Sequence, residues 1–175
     1  MKKTLINSIL IFSVLLLATA GGAFAQGKAF VPDKNTHYRL TTQWLGENFS
    51  LDVLNDGRND QIRLAETDDV SGQQWKFTPV GDGYFRITTA WLGGNKSLDV
   101  LNDGENDQLR MAKTEDVMGQ YWKITPVGNG YYRLTTKWLG ENFSLDVLNS
   151  GKKDQLRLAE TDDVMGQYWK IIPNN

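Results

Sequence analysis

The chain has 175 residues, a formal net charge of −2, 40% hydrophobic residues and no cysteine. This mildly acidic, evenly mixed balance offers no basic footprint for nucleic acid or anionic lipid, and the lack of cysteine excludes disulfides and a thiol nucleophile. Stability must come from packing, which six Trp, six Tyr and seven Phe can supply.

Residues 1–25 read as a signal peptide. Lys2 and Lys3 give a positive start, Ile9 to Ala18 form an apolar run too short to span a bilayer comfortably, and Ala23-Phe24-Ala25 supplies a small-x-small cleavage pattern. Cleavage near Ala25 predicts a secreted or periplasmic protein of bacterial type, and no later segment is apolar enough to span a membrane. Loss of Lys2 and Lys3, with no acid, moves the formal charge from −2 to −4. Residues 26–34 are expected to be a flexible lead-in, because Pro32 and Asp33 do not suit regular structure. Residues 35–175 then form one domain.

That domain is written three times. Ser50 to Trp75 (SLDVLNDGRNDQIRLAETDDVSGQQW) returns as Ser97 to Trp122 and again as Ser144 to Trp169. Asp52, Asp99 and Asp146 fall 47 residues apart (99 − 52 and 146 − 99), as do Trp44, Trp91 and Trp138, without insertion or deletion. The repeats are 35–81, 82–128 and 129–175, and a fixed period of this length implies a repeat architecture.

Within the first repeat, four runs have strand character: Tyr38–Thr42, Ser50–Leu54, Gln61–Glu66 and Gln74–Val80. Turn residues at Gly46, Asn55-Asp56-Gly57, Gly72 and Gly81-Asp82-Gly83 separate them. Only Ala65–Val70 has the character of a helical turn. Leu51 and Val53 share a face opposite Asp52, Ile62 and Leu64 one opposite Gln61 and Arg63, and Trp75 and Phe77 one opposite Gln74 and Lys76. The substitutions Ile62 to Leu109 and Leu156, and Phe77 to Ile124 and Ile171, keep the inward positions large and apolar. One such unit cannot bury its apolar face alone. Three about a pseudo-threefold axis can close a barrel of about twelve short strands.

The spacing of Leu51-Asp52-Val53, Gln61-Ile62-Arg63 and Gln73-Gln74-Trp75 recurs as Leu98-Asp99-Val100, Gln108-Leu109-Arg110, Gln120-Tyr121-Trp122 and as Leu145-Asp146-Val147, Gln155-Leu156-Arg157, Gln167-Tyr168-Trp169. Three Leu-Asp-Val strands, each followed in phase by Gln-x-Trp, resemble the ricin B-type lectin β-trefoil. The resemblance implies an all-β fold, a six-stranded barrel capped by three hairpins, with shallow sugar pockets on the outside, one per repeat. It also implies carbohydrate binding through Asp52, Asp99 and Asp146, with Gln61, Gln108 and Gln155 beside them. Gln73, Gln120 and Gln167 would support the aspartate or the barrel. A carboxylate beside amides can accept charge-assisted hydrogen bonds from adjacent sugar hydroxyls.

Two positions depart from the family. Arg63, Arg110 and Arg157 stand where galactose-binding members have a stacking aromatic, and Gly72, Gly119 and Gly166 where many have asparagine. Trp44, Trp91 and Trp138, each in a Trp-Leu-Gly turn, are the replacement candidates for a sugar platform, with packing under the barrel rim as the competing role. The aspartates likewise have a competing role in fixing turns. The arginines are expected to reach a ligand or to pair with Asp60, Asp107 and Asp154. In the second copy Gly94 and Lys96 replace Glu47 and Phe49, so if those two shape a pocket, the first and third sites should outperform the second.

The Asn55-to-Asp60 turn does not match a calcium loop, and its third copy, Asn149 to Asp154, carries two lysines; no metal and no cofactor are expected. Catalysis is not expected either. His37 is the sole histidine and is replaced by Tyr84 and Tyr131 in the other copies, and the same residues at three places suit binding better than chemistry. The expected partners are glycans or polysaccharides; the alternative is a protein-binding trefoil, an inhibitor or adhesion partner. The sequence leaves the sugar, the number of active pockets and the oligomeric state open.

Overall fold

The structure, a computed structural model, describes residues 27–148 and 155–174. The expected signal peptide and the third-copy turn 149–154 lie outside the described residues. The first repeat contributes β1 (Tyr38–Thr42), β2 (Phe49–Val53), β3 (Ile62–Glu66) and β4 (Trp75–Gly81). The second contributes β5 (Tyr84–Thr89), β6 (Lys96–Val100), β7 (Leu109–Lys113) and β8 (Trp122–Gly128), and the third β9 (Tyr131–Thr136), β10 (Gly140–Val147), β11 (Leu156–Glu160) and β12 (Trp169–Pro173).

Six of these strands close a ring. β1 pairs with β4 and β12, β5 with β4 and β8, and β9 with β8 and β12, all antiparallel. Closure leaves no free edge in the barrel. The remaining strands form the hairpins β2–β3, β6–β7 and β10–β11. The hairpins are tied to one another: Met111 N–H donates to the carbonyl of Asp60 at 2.7 Å, and Leu158 N–H to that of Asp107 at 2.7 Å. This is the β-trefoil expected from the repeat.

The alternation read from the sequence sets the core. Leu51, Leu98 and Leu145, with Leu40, Ile87 and Leu134, are buried beside Trp75, Trp122 and Trp169. Each of these indoles has a polar N–H that must be satisfied when it is buried. All three are, because Trp75, Trp122 and Trp169 Nε1 donate to the carbonyls of Leu51, Leu98 and Leu145 at 2.8, 2.9 and 2.9 Å. The tryptophan of Gln-x-Trp thus pins each hairpin's first strand to the barrel.

Two local expectations are corrected. The helical character lies beyond Ala65–Val70, because Ala65 and Glu66 complete β3 by pairing with Ser50 and Phe49. One 3-10 turn forms at Ser71–Gln73 instead, and again at Met118–Gln120 and Met165–Gln167. The lead-in has no regular secondary structure, but it is not loose at Phe30. That ring packs edge-on against Phe77 at 4.8 Å, Tyr38 at 5.6 Å, Tyr132 at 5.7 Å and Phe85 at 5.8 Å, drawn from all three repeats. An apolar ring entering a ring of strands is the same burial that holds the core, supplied from outside the repeat.

Candidate functional sites at the repeat junctions

Asp52, Asp99 and Asp146 occupy the penultimate position of the first strand of each hairpin, opposite Arg63, Arg110 and Arg157 in register. The strand alternation that turns Leu51 and Val53 inward turns Asp52 outward, yet Asp52 is only 6% exposed and Asp99 7%. What covers each carboxylate is the 3-10 turn of its own repeat. A Cβ built on Gly72, Gly119 or Gly166 would lie 2.7, 2.7 or 2.5 Å from the Oδ1 of Asp52, Asp99 or Asp146. Glycine is present there for space, since only its missing side chain lets the turn close on the carboxylate.

This burial pushes all three carboxyl groups above the ordinary aspartate value, because the charged form loses water. Neighbouring groups oppose the shift. Arg63 Nη2 reaches Asp52 Oδ2 at 3.2 Å, and Arg110 Nη2 lies 3.8 Å from Asp99 Oδ2. Val100 N–H donates to Asp99 Oδ1 at 3.0 Å, and Gln120 and Gln167 favour the ionised forms of Asp99 and Asp146. Arg63 and Arg110 therefore pair with Asp52 and Asp99 rather than with Asp60 and Asp107, Arg157 stands opposite Asp146 in register, and Asp154 lies outside the described residues.

The glutamines divide into two groups. Gln73, Gln120 and Gln167 are buried and bridge the chain on either side of the site. Their Nε2 atoms donate to the carbonyls of Glu66, Lys113 and Glu160 at 2.8 Å, and their Oε1 atoms accept from the N–H of Asp68, Glu115 and Asp162 at 2.9 Å. They fix the loop that carries each 3-10 turn. Gln61, Gln108 and Gln155 are exposed. The amide of Gln61 turns to Asp56 Oδ2 at 3.3 Å, and Gln108 and Gln155 do not line the cavities that hold Asp99 and Asp146.

The indole beside each 3-10 turn comes from the next repeat. Trp91 Cε3 is 3.6 Å from the Cβ position of Gly72, and Trp138 Cε3 is 3.6 Å from that of Gly119. Backbone bonds lock this arrangement, with Trp91 N–H donating to Ser71 O at 3.2 Å and Trp44 N–H to Met165 O at 3.3 Å. Asp52 thus shares its turn with Trp91, Asp99 with Trp138, and the turn beside Asp146 is bonded to Trp44. All three indoles are half-buried and pack on the core. Trp138 is at the same time part of a cavity wall, so it packs on the core and is also open to that cavity.

That cavity, about 850 Å³, is lined by Asp99, Arg110, Gln120 and Trp138, with Val117 and Met118 as an apolar lip. Met118 is 53% exposed, an unusual position for a large apolar side chain. A second cavity of about 460 Å³ holds Asp146, Arg157, Gln167, Val164 and Phe143. Phe143 lines the second of these cavities, and its counterpart Lys96 the first. The glutamates do not: Glu47 is paired with Lys170 and Glu141 with Lys123. The valine–methionine lip was not read from the sequence, although its signal was there, an apolar pair repeated in an otherwise polar loop.

No group of three or more metal-ligating side chains occurs among the described residues. In the Asn55-to-Asp60 turn, Asp56 Oδ1 accepts Arg58 N–H at 3.0 Å and Asn59 N–H at 2.9 Å, and Asp103 repeats the pattern. No helix among the described residues is long and apolar enough to cross a membrane.

A sequence profile described as a ricin-type beta-trefoil lectin domain-like family matches residues 71–158. No curated protein matches the chain significantly by sequence. Among solved structures, the designed threefold-symmetric protein ThreeFoil is similar with a TM-score of 0.66 and 25% identity, over 78% of this chain and 97% of that one. The exo-beta-1,3-galactanase 1,3Gal43A from Clostridium thermocellum is similar with a TM-score of 0.64 and 25% identity, over 83% of this chain but only 31% of its own length. SeviL, solved bound to asialo-GM1 saccharide, shares the fold with a TM-score of 0.59 and 18% identity, over 78% of this chain and 96% of that one.

Proposed function

The chain belongs to the ricin-type β-trefoil lectin domain-like family, and on that premise we propose that it binds carbohydrate, without catalysis, at up to three pockets built across its repeat junctions. The observation that carries this reading is the cavity where Asp99 and Arg110 face Trp138 of the following repeat. The largely covered carboxylate accepts hydrogen bonds from vicinal sugar hydroxyls, and the guanidinium donates to a neighbouring oxygen. The indole and the Val117–Met118 lip take the apolar face of the ring. Asp52 with Trp91, and Asp146 with the Trp44 turn, repeat the arrangement.

The absence of catalysis is part of the proposal. Chemistry needs groups of distinct roles converging on one reacting atom, whereas these junctions repeat one set of side chains. The galactanase is matched over less than a third of its length, so its activity is not carried to this chain. Single shallow pockets would bind at about millimolar strength, and repetition on one domain would raise avidity for a polysaccharide surface. Export by residues 1–25 would place the protein where such glycans are met.

The test is a screen of neutral and charged glycans against the protein and its triple variant Asp52→Asn, Asp99→Asn, Asp146→Asn, with folding checked by thermal melt. Binding that is lost in a folded triple variant supports the reading. A parent that binds no glycan, or a triple variant that binds as well as the parent, refutes it.

A further inference from the structure

At the junction of the first and second repeats the threefold repeat is broken, and two cations there lack the carboxylate partners that their equivalents have. In the third and first repeats, Lys123 pairs with Glu141 and Lys170 with Glu47. The equivalent Lys76 faces the junction of the first and second repeats, where the acid is replaced by Gly94. One strand over, Arg133 and its equivalent Arg86 donate alike to the carbonyls of Asp162 and Glu115 at 2.9 Å and lie over the rings of Tyr168 and Tyr121, but only Arg133 also has a carboxylate, Asp163 Oδ1, at 3.5 Å. Among the described residues, neither Lys76 nor Arg86 has a carboxylate partner.

The space around these cations is opened by small or short residues. Lys137 lies over the rings of Tyr84 and Tyr121 at the next junction. Here Ala90, His37 and Gln74 stand at the three equivalent positions. The result is a cavity of about 400 Å³ lined by Lys76, Arg86, His37, Thr78, Thr88 and Gly94, among others. Lys76 is opposite Thr88, and Arg86 opposite Thr78, on one face of the β4–β5 pair. That face offers two cations and two hydroxyls and contains no acid. It is separate from the cavities holding Asp99 and Asp146.

We infer that this junction is an anion-binding subsite that takes the carboxylate or sulfate group of an acidic glycan, supplying from the ligand the charge that Glu47 and Glu141 supply internally at the other junctions. An ammonium with three donors, a guanidinium and threonine hydroxyls match the oxygens of such a group. The inference rests on the glycan reading for its ligand class but not for its site.

Gly94→Glu is the decisive variant. A Cβ at Gly94 meets nothing within 4 Å and its φ is not left-handed, so the substitution restores the internal ion pair without strain. Titrations would use oligogalacturonate, its methyl ester and a sulfated oligosaccharide against the parent, Gly94→Glu, Lys76→Met and the triple aspartate variant. We expect the parent to bind at least one acidic probe, with affinity about tenfold lower in Gly94→Glu and in Lys76→Met. The triple aspartate variant should retain that binding, and the methyl ester should lose it. Binding to neither acidic probe, or binding unchanged in both Gly94→Glu and Lys76→Met, overturns the inference. Binding of acidic probes that needs Gly94 but survives the triple aspartate variant leaves this subsite standing even where the junction pockets fail.

Discussion

Gly119 lies so close to Asp99 that a Cβ added to it would stand 2.7 Å from the carboxylate Oδ1. The same closeness recurs at Gly72 and Gly166: in this geometry, any side chain there would displace the carboxylate. Gly119→Ala should therefore cost about 1–3 kcal/mol, as overpacking does, and should weaken glycan binding more than Gly94→Ala, where space is open. Denaturant melts and titrations of the two variants check this, and equal effects would contradict it.

The covered aspartates also set a pH dependence. Burial holds their native carboxyl values above the ordinary 3.8. A raised native value means the fold binds the proton more tightly than the unfolded chain. The stability these groups contribute is then complete below 3.8 and lost as pH rises through the native values. The stability of the parent relative to the triple Asp→Asn variant should fall as pH is raised from 3 through that window. A difference independent of pH would contradict it. Glycan binding runs the other way and should decline on acidification, beginning above the pH at which an ordinary aspartate protonates.

Trp122 tests the joint between hairpin and barrel. Trp122→Phe keeps most of the apolar surface but leaves the buried carbonyl of Leu98 without its donor, at a cost of about 1–3 kcal/mol. Trp122→Ala should cost about 3–5 kcal/mol or prevent folding. Thermal melts that show no difference between parent and Trp122→Phe would contradict the role given to the indole N–H.

Phe30 tests whether the lead-in belongs to the fold. Phe30→Ala removes a ring packed on four aromatics and should lower stability by about 1–3 kcal/mol, less than a fully buried phenylalanine because the ring is only half covered. Urea denaturation reads the difference directly.

The fold was legible because the sequence repeats and alternates. Leu51 and Val53 against Asp52, and Trp75 and Phe77 against Lys76, assign faces without any knowledge of contacts, and three equal units dictate closure. The partners across the junctions were not legible. Nothing local to Trp91 says that it meets Gly72, and nothing in Arg63 favours Asp52 over Asp60 until hairpin register sets the first pair opposite each other. Phe30 escaped because it lies outside the period. Gln61 illustrates the limit of carrying a role by position: its amide serves Asp56 in its own turn.

The central claim is that the Asp99 pocket spans two repeats, so that Asp99 works with Trp138 and not with Trp91. Double-mutant cycles on glycan affinity, Asp99→Asn with Trp138→Ala and Asp99→Asn with Trp91→Ala, test it most directly. The account predicts strong coupling, about 1 kcal/mol or more, in the first cycle and additivity in the second. Additivity with Trp138 and coupling with Trp91 would contradict it.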